Sequence, residues 1–356
     1  MAIVDLYGHG AVRDRLAESI ATGTLPASLL LHGAPGTGKQ RLALWLAQRL
    51  LCSGPDPACE TCTACRYVRA IVHPDLHWVF PRPRLKDSSP DPEEVKQDYA
   101  EAIAERAAAR GLYAAPSGSE GIFVSTVRSL VQRASMSPAM GSRKVFIVGD
   151  ADRMVAQEGA DQAANAFLKL LEEPPADTTI ILTSSEPGAL LPTIRSRVVA
   201  VRVPLVPDAD VRAFLADPVV AATLDKVSKA GAAERVRAAA GAPGRLLSGD
   251  DDARATISAR KIIDAALSPR RSNRYLAAMG QGAANARGTF SDTLDALVTL
   301  LAERARDAIH RGDDRAARSA SGAVESVLRA KTFASGNVSP QVIAARLIRQ
   351  LSTALR

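Results

Sequence analysis

The run Gly33-Ala-Pro-Gly-Thr-Gly-Lys39-Gln40 narrows most sharply what this chain can fold into. It follows the apolar triplet Leu29–Leu31 and precedes Arg41–Leu51, whose apolar residues share one helical face. A buried strand, a glycine-rich turn and a helix in that order form a phosphate-binding loop. Backbone N–H groups of the turn and the helix start cradle phosphate oxygens, and the lysine neutralises the outer phosphates. Gly33, Gly36, Thr37, Gly38 and Lys39 are therefore candidate contacts to ATP or ADP, and a chance glycine-rich turn is a poor competitor. Gln40 departs from the pattern. Ser or Thr at that position places a hydroxyl on Mg²⁺, whereas a longer amide is expected to hold the ion badly.

Other apolar runs extend the reading. Val145–Val148, Thr179–Leu182 and Val198–Val203 are apolar along their length, and helical patterns such as Val12–Ile20 and Ala163–Leu171 separate the strands. Strands apolar on both faces predict an α/β domain whose parallel sheet is covered on both sides. Beyond about residue 205 the strand signals stop. Asp210–Ala216 and Ala230–Ala240 read as helices, and from 254 onward the pattern is helical throughout. Leu294, Leu297, Val298 and Leu301 mark one apolar face, and Ile343, Leu347, Leu351 and Leu355 another. Three domains are expected: a sheet domain over 1–204, a small helical domain over 205–250 and a helical domain over 254–356. The proline-rich stretch from Pro81 to Pro92, the polar Ala-rich helix Glu93–Arg110 and the loop to Gly121 suggest a partly mobile surface insertion at about 81–120.

Composition excludes whole classes. At 356 residues and 47% hydrophobic, the chain is neither disordered nor a collagen nor a disulfide miniprotein. No apolar run approaches the roughly 20 residues that span a bilayer, and no basic-then-apolar leader begins it, so a cytoplasmic, membrane-free protein is expected. Charge is unevenly placed: residues 1–252 sum to −2 and residues 253–356 to +9. The arginines of the last third are scattered, which favours a solvated helical surface over a nucleic-acid or acidic-protein footprint.

Four further motifs carry chemistry. The strand Val145–Val148 leads into Gly149-Asp150-Ala151-Asp152. Asp150 is placed to hold Mg²⁺, but the next position, where an ATPase needs a carboxylate to orient water, is Ala151. The alternative is that Asp150 and Asp152 cap the following helix. Cys52, Cys59, Cys62 and Cys65 are the only cysteines, four thiols within fourteen residues. They predict a structural Zn²⁺ site, with an iron–sulfur cluster as the rival. His73 and His77 lie near, but four sulfurs already close the shell. At the end of the third strand, Thr183-Ser184-Ser185 offers hydroxyls to a γ-phosphate or to turn chemistry, and Ser184 is the candidate sensor. Arg197 and Arg245 are candidate phosphate-directed arginines, each a weak signal alone.

Taken together these residues resemble the clamp-loader branch of the AAA+ ATPases. The most specific segments are Asn165-Ala-Phe-Leu-Lys-Leu-Leu-Glu-Glu-Pro-Pro175 and Ile194-Arg-Ser-Arg197, the latter similar to the family's Ser-Arg-Cys motif with Val198 in place of the cysteine. The cysteine cluster after the first P-loop helix is similar to the zinc module of that branch, here residues 52–65. The likeness covers residues 1 to about 247 and, within the branch, is nearest to the δ′ type of bacterial DNA polymerase III subunit. It implies a P-loop sheet domain, a helical lid and an all-α collar. Arg197 would then be a finger acting on ATP in an adjacent subunit, and Arg245 a lid arginine. The phosphate loop would be one that has lost its catalytic partners. The implied partners are the δ and γ/τ subunits, the sliding clamp and primed DNA, all within a polymerase holoenzyme. An active γ/τ-like ATPase is the alternative, opposed by Gln40 and Ala151.

Overall fold

The computed structural model describes residues 2–56, 58–85, 90–114, 120–154, 160–282, 287–334 and 338–355. Contacts divide these residues into two units, one reaching Ser248 and one beginning at Gly249.

Among the described residues the first unit is built on five parallel strands. They are β1 (Ser28–His32), β2 (Leu76–Val79), β3 (Lys144–Val148), β4 (Thr178–Ser184) and β5 (Val199–Arg202), in the order β2-β3-β4-β1-β5. Register pairs His32 with Ser184 and with Arg202, and Val148 with Leu182. Side chains alternate across a strand, so Leu29 and Leu31 point to one face and Leu30 to the other. On the first face they join Ile147, Ile181 and residues of α1 (Gly10–Ala21), α2 (Lys39–Leu51), α3 (Thr63–Arg69) and α4 (Pro92–Ala108). On the opposite face Leu30, Phe146, Val148 and Leu182 pack on α5 (Val124–Ala134), α6 (Ala160–Glu172) and α7 (Pro192–Arg195). Helices on both faces of a parallel sheet are what the doubly apolar strands predict.

Two expectations need correction. β2 was not anticipated, because His77 and Trp78 break the apolar run. Both are accommodated: Trp78 is fully buried, and the His77 ring stacks on Phe146 at 4.7 Å between centroids. The 81–120 segment is no surface appendage either. Its helix α4 buries Val95, Tyr99 and Ala102 in the main core, and Tyr99 donates a hydrogen bond to the Phe80 carbonyl at 2.7 Å. A helix so polar by count packs through one stripe, which the partly buried Ile103 and Ala107 extend. Residues 86–89 and 115–119 of that segment lie outside the described residues.

Past β5 the unit continues as α8 (Asp208–Ala216), α9 (Pro218–Val227) and α10 (Ala232–Ala239), followed by a short 3₁₀ turn, Pro243–Leu247. The helix α9 had no counterpart in the sequence reading. Its start is capped by Asp217, whose carboxylate accepts from the Val219 and Val220 amides.

Among its described residues the second unit has five helices: α11 (Gly249–Leu267), α12 (Arg271–Met279), α13 (Arg287–His310), α14 (Asp314–Ala334) and α15 (Pro340–Ala354). Leu294, Leu297, Leu301, Ile343, Leu347 and Leu351 are buried in its core, as their spacing predicts. Alanines 255, 259, 323 and 344 let the helices approach closely. Among the described residues no helix is long and apolar enough to cross a membrane.

Candidate functional site: a self-occupied phosphate loop and a four-cysteine cluster

The C-terminal ends of β1, β3 and β4 converge on one edge of the sheet, where ligands of open α/β sheets bind. Residues 33–38 form the turn there. Gly36 and Gly38 have φ of +78° and +88°, a region that favours glycine. Gly33 is needed for space: a Cβ would sit 2.2 Å from the Val203 carbonyl oxygen. Thr37 is buried, and its hydroxyl donates to the Ala34 carbonyl at 2.9 Å. Its own carbonyl lies 2.8 Å from His9 Nε2, which must carry the proton in that bond. Burial lowers the His9 pKa, opposed by the bond to Thr37 and by Asp210.

Lys39 is turned back into the loop. Its ammonium donates to the carbonyls of Gly33 (3.0 Å) and Ala34 (2.9 Å) and to Ser185 Oγ (2.9 Å). An ammonium has three donors, and all three are used. Burial lowers its pKa, while Asp150 and Asp152 oppose the shift.

Gln40 bridges the loop to the end of β3. Its Nε2 donates to Asp150 Oδ2 at 2.9 Å. Its Oε1 accepts from Trp78 Nε1 at 3.0 Å and, at the longer distance of 3.5 Å, from an Arg106 amino group. Gly149 makes room for this amide, since a Cβ there would meet Gln40 Oε1 at 2.4 Å. Asp150 itself has φ +48°, and its N–H donates to Thr183 Oγ1. Burial raises the Asp150 pKa, Asp152 adds to the rise, and Lys39 opposes it. The alternative that Asp150 caps a helix finds no support among the described residues: its side chain makes no capping bond to the turn Ala151–Arg153 and instead accepts from Gln40. Asp152 accepts from the Ser185 N–H at 3.2 Å.

This donor set does not fit Mg²⁺. The ion wants near-octahedral oxygen ligands. Here the carboxylate is held by an amide N–H, the hydroxyl is replaced by that amide, and a guanidinium stands beside the amide oxygen.

The other sequence-predicted residues fall in three places. The 3₁₀ turn closes over the loop: the Gly244 N–H donates to the Gly36 carbonyl at 2.9 Å, and Arg245 Cγ lies 2.9 Å from where a Gly36 Cβ would be. Arg245 thus joins the loop through its stem. Ser184 does not face Lys39; its hydroxyl accepts from the Glu186 N–H, and the neighbouring Ser185 makes the lysine contact instead. Arg197, just beyond α7, contacts Glu172, Thr193 and Ser196, none of them in the loop. Sequence reasoning passed over His9, Trp78 and Arg106, and within Thr183-Ser184-Ser185 it singled out Ser184 where Ser185 makes the contact. The available signal was a cluster of aromatics, Trp78, Phe80, Tyr99 and Tyr113, in a chain only 4% aromatic.

The cysteines meet beyond the far end of α2. Cys52 follows that helix, Cys62 caps α3, and Cys65 lies in its first turn. All four sulfurs lie within 4.8 Å of one another, with Cys52 3.6 Å from Cys59 and 3.9 Å from Cys62. A tetrahedral ion with bonds of about 2.3 Å to sulfur separates its ligands by roughly 3.8 Å, so the cluster fits a metal ion. Amide N–H groups of Gly54, Cys62 and Cys65 donate to the sulfurs of Cys52, Cys59 and Cys62. Such donors stabilise thiolates and orient them. Gly54 has no alternative here, because its Cβ would lie 2.7 Å from Cys59 Sγ. His73 and His77 take no part in the cluster.

The family model described as DNA polymerase III, delta subunit, matches residues 8–206. The DNA polymerase III subunit delta' of Pseudomonas aeruginosa is 35% identical over 178 residues, covering 49% of this chain and 42% of that protein. The delta' subunit of Escherichia coli is 30% identical over 186 residues, covering 52% and 44%. The gamma/tau subunit of Mycobacterium tuberculosis is 29% identical over 220 residues, covering 60% and 31%. The chain thus spans less than half the length of each of these relatives. The matched stretch holds the loop, the cysteine cluster and Arg197. On this ground the chain belongs to the DNA polymerase III delta-subunit family of clamp-loader AAA+ proteins, close to its delta' members.

Proposed function

We propose that this chain is a non-hydrolysing, δ′-like subunit of the bacterial clamp loader. The observation that carries the reading is at the end of β3: Asp150 is tied to Gln40, and the next residue is buried Ala151, with no carboxylate to orient an attacking water. The consumed donors of Lys39 support it.

In this reading the chain works on its neighbour. Arg197 reaches the γ-phosphate of ATP bound by an adjacent γ/τ subunit and stabilises charge that develops there. The lid comprises α8–α10 with the 3₁₀ turn, and α11–α15 form the collar through which subunits associate. Partners are δ, γ/τ, the sliding clamp and primed DNA, in the cytoplasm. Contacts to DNA run to the phosphate backbone and weaken with salt. The four cysteines hold Zn²⁺ as a structural ion.

Two measurements test this. The isolated chain is expected to show no ATP turnover. In the reconstituted clamp loader, Arg197→Ala is expected to slow hydrolysis at the facing site by about 10³-fold or more, the worth of an arginine finger. Brisk turnover by the isolated chain would favour the γ/τ-like reading. An unchanged rate in the complex would leave Arg197 a surface residue and the chain a scaffold.

A further inference from the structure

The helix α4 carries Arg106 into the site in its last turn. The guanidinium lies 3.2 Å from the Phe80 ring centroid, 3.8 Å from that of Tyr113 and 4.7 Å from that of Trp78. Three rings around one cation fix it by cation–π attraction in a desolvated setting. The helix that bears it is fixed as well. Asp91 caps its start by accepting from the Glu93 N–H, Tyr99 bonds the Phe80 carbonyl, and Asp98 pairs with Arg82 at 2.7 and 3.0 Å.

We propose that Arg106 is a built-in cation that stands in for the divalent metal of this phosphate loop. In P-loop proteins the metal lies between the hydroxyl after the lysine and the carboxylate at the end of a neighbouring strand. Here Gln40 spans that gap, bonding Asp150 on one side and facing Arg106 and Trp78 on the other. Lys39, Arg153 and Arg106 each act on Asp150 through their charge, with Asp152 as the second carboxylate. A doubly charged ion entering beside Gln40 would meet the like charge of Arg106, whose guanidinium lies 3.5 Å from the Gln40 carbonyl oxygen, in a site of low dielectric. Its six oxygen ligands are not on offer. The insertion that bears α4 therefore acts as an internal substitute for metal, and any nucleotide this loop takes is bound independently of it. This goes beyond the proposed role of Arg197 and does not depend on it.

The test uses the isolated full-length chain, trinitrophenyl-ATP as the nucleotide probe and Mn²⁺ as the metal probe. The wild type is expected to bind Mn²⁺ no better with nucleotide than without, and any probe affinity to agree within about twofold between magnesium and chelator. Gln40→Thr alone is expected to stay metal-independent, because Arg106 is still present. Gln40→Thr with Arg106→Met, verified as folded by circular dichroism, is expected to bind the probe at least about tenfold more tightly with magnesium than with chelator. Tenfold metal dependence in the wild type overturns the proposal. So does metal dependence gained by Gln40→Thr alone, which would make the amide and not the guanidinium the obstacle. A folded double variant that gains none overturns it too. If the double variant does not fold, the wild type and Gln40→Thr decide between them. None of these readouts responds to whether Arg197 acts on a neighbour.

Discussion

Arg197 Nε donates to Glu172 Oε1 at 2.8 Å, joining the end of α6 to the turn after α7. A second guanidinium nitrogen bonds the same oxygen, and a third group reaches the Thr193 carbonyl. The Glu172 side chain is 47% exposed, and that of Arg197 31%. Pairs this open contribute at most about 1 kcal/mol, so Glu172 aims the arginine more than it holds the fold. Glu172→Ala and Arg197→Ala are each expected to shift the urea unfolding free energy of the isolated chain by less than about 1 kcal/mol. A loss above that, measured by circular dichroism, would make the pair structural.

Gly33 tests the packing of β5 against the loop. Its Cβ position lies 2.2 Å from the Val203 carbonyl oxygen, and Val203 N–H bonds the His32 carbonyl. Backbone cannot yield there as a flexible side chain does. Gly33→Ala is expected to destabilise the chain by about 2–3 kcal/mol, read from the shift in the denaturation midpoint.

Removal of the metal offers a third check. With the four thiols close and no disulfide, an equimolar metal content is expected, lost on treatment with a strong chelator. Gly54→Ala drives a Cβ against Cys59 Sγ and is expected to weaken metal binding by about 10–100-fold in a chelator competition. Elemental analysis that finds iron in place of zinc would select the cluster over the single ion.

Asp75 contributes a pH dependence of stability. It is buried beside β2, and its carboxylate accepts from the amides of Ala139, Met140 and Gly141. Burial alone would raise its pKa, but the three N–H donors, with His73 adding to them, hold it below the usual carboxylate value. A depressed folded pKa contributes stability that is present above the unfolded value of about 3.9 and is lost as pH falls through the folded one. Asp75→Asn is therefore expected to cost about 2 kcal/mol near neutral pH. The gap between variant and wild type should close in strong acid. A gap that persists below about pH 2 would assign the loss to geometry and not to charge.

Much of this protein is written locally. The strand–turn–helix around Lys39 is set by residues adjacent in sequence, since glycines choose the turn and apolar runs choose the strand. The cysteine cluster is legible for the same reason: its four ligands lie within fourteen residues of one another. Leu294 and Leu351 announce their buried faces through helical spacing alone.

What the loop does with its own side chains was decided elsewhere. Gln40 meets Asp150 across 110 positions and Arg106 across 66, and no local pattern encodes either meeting. The β2 strand is short and carries His77 and Trp78, so only its pairing with β3 makes it a strand. The α4 helix reads as polar because composition averages over all its faces, while packing uses one. Sequence determined that a phosphate loop forms; the tertiary fold decided that its lysine, amide and carboxylate are engaged by partners from within the chain. The physical reason is range: φ/ψ preferences and hydrophobic period act over a few residues, whereas hydrogen bonds and buried charges answer to whatever the sheet order brings alongside.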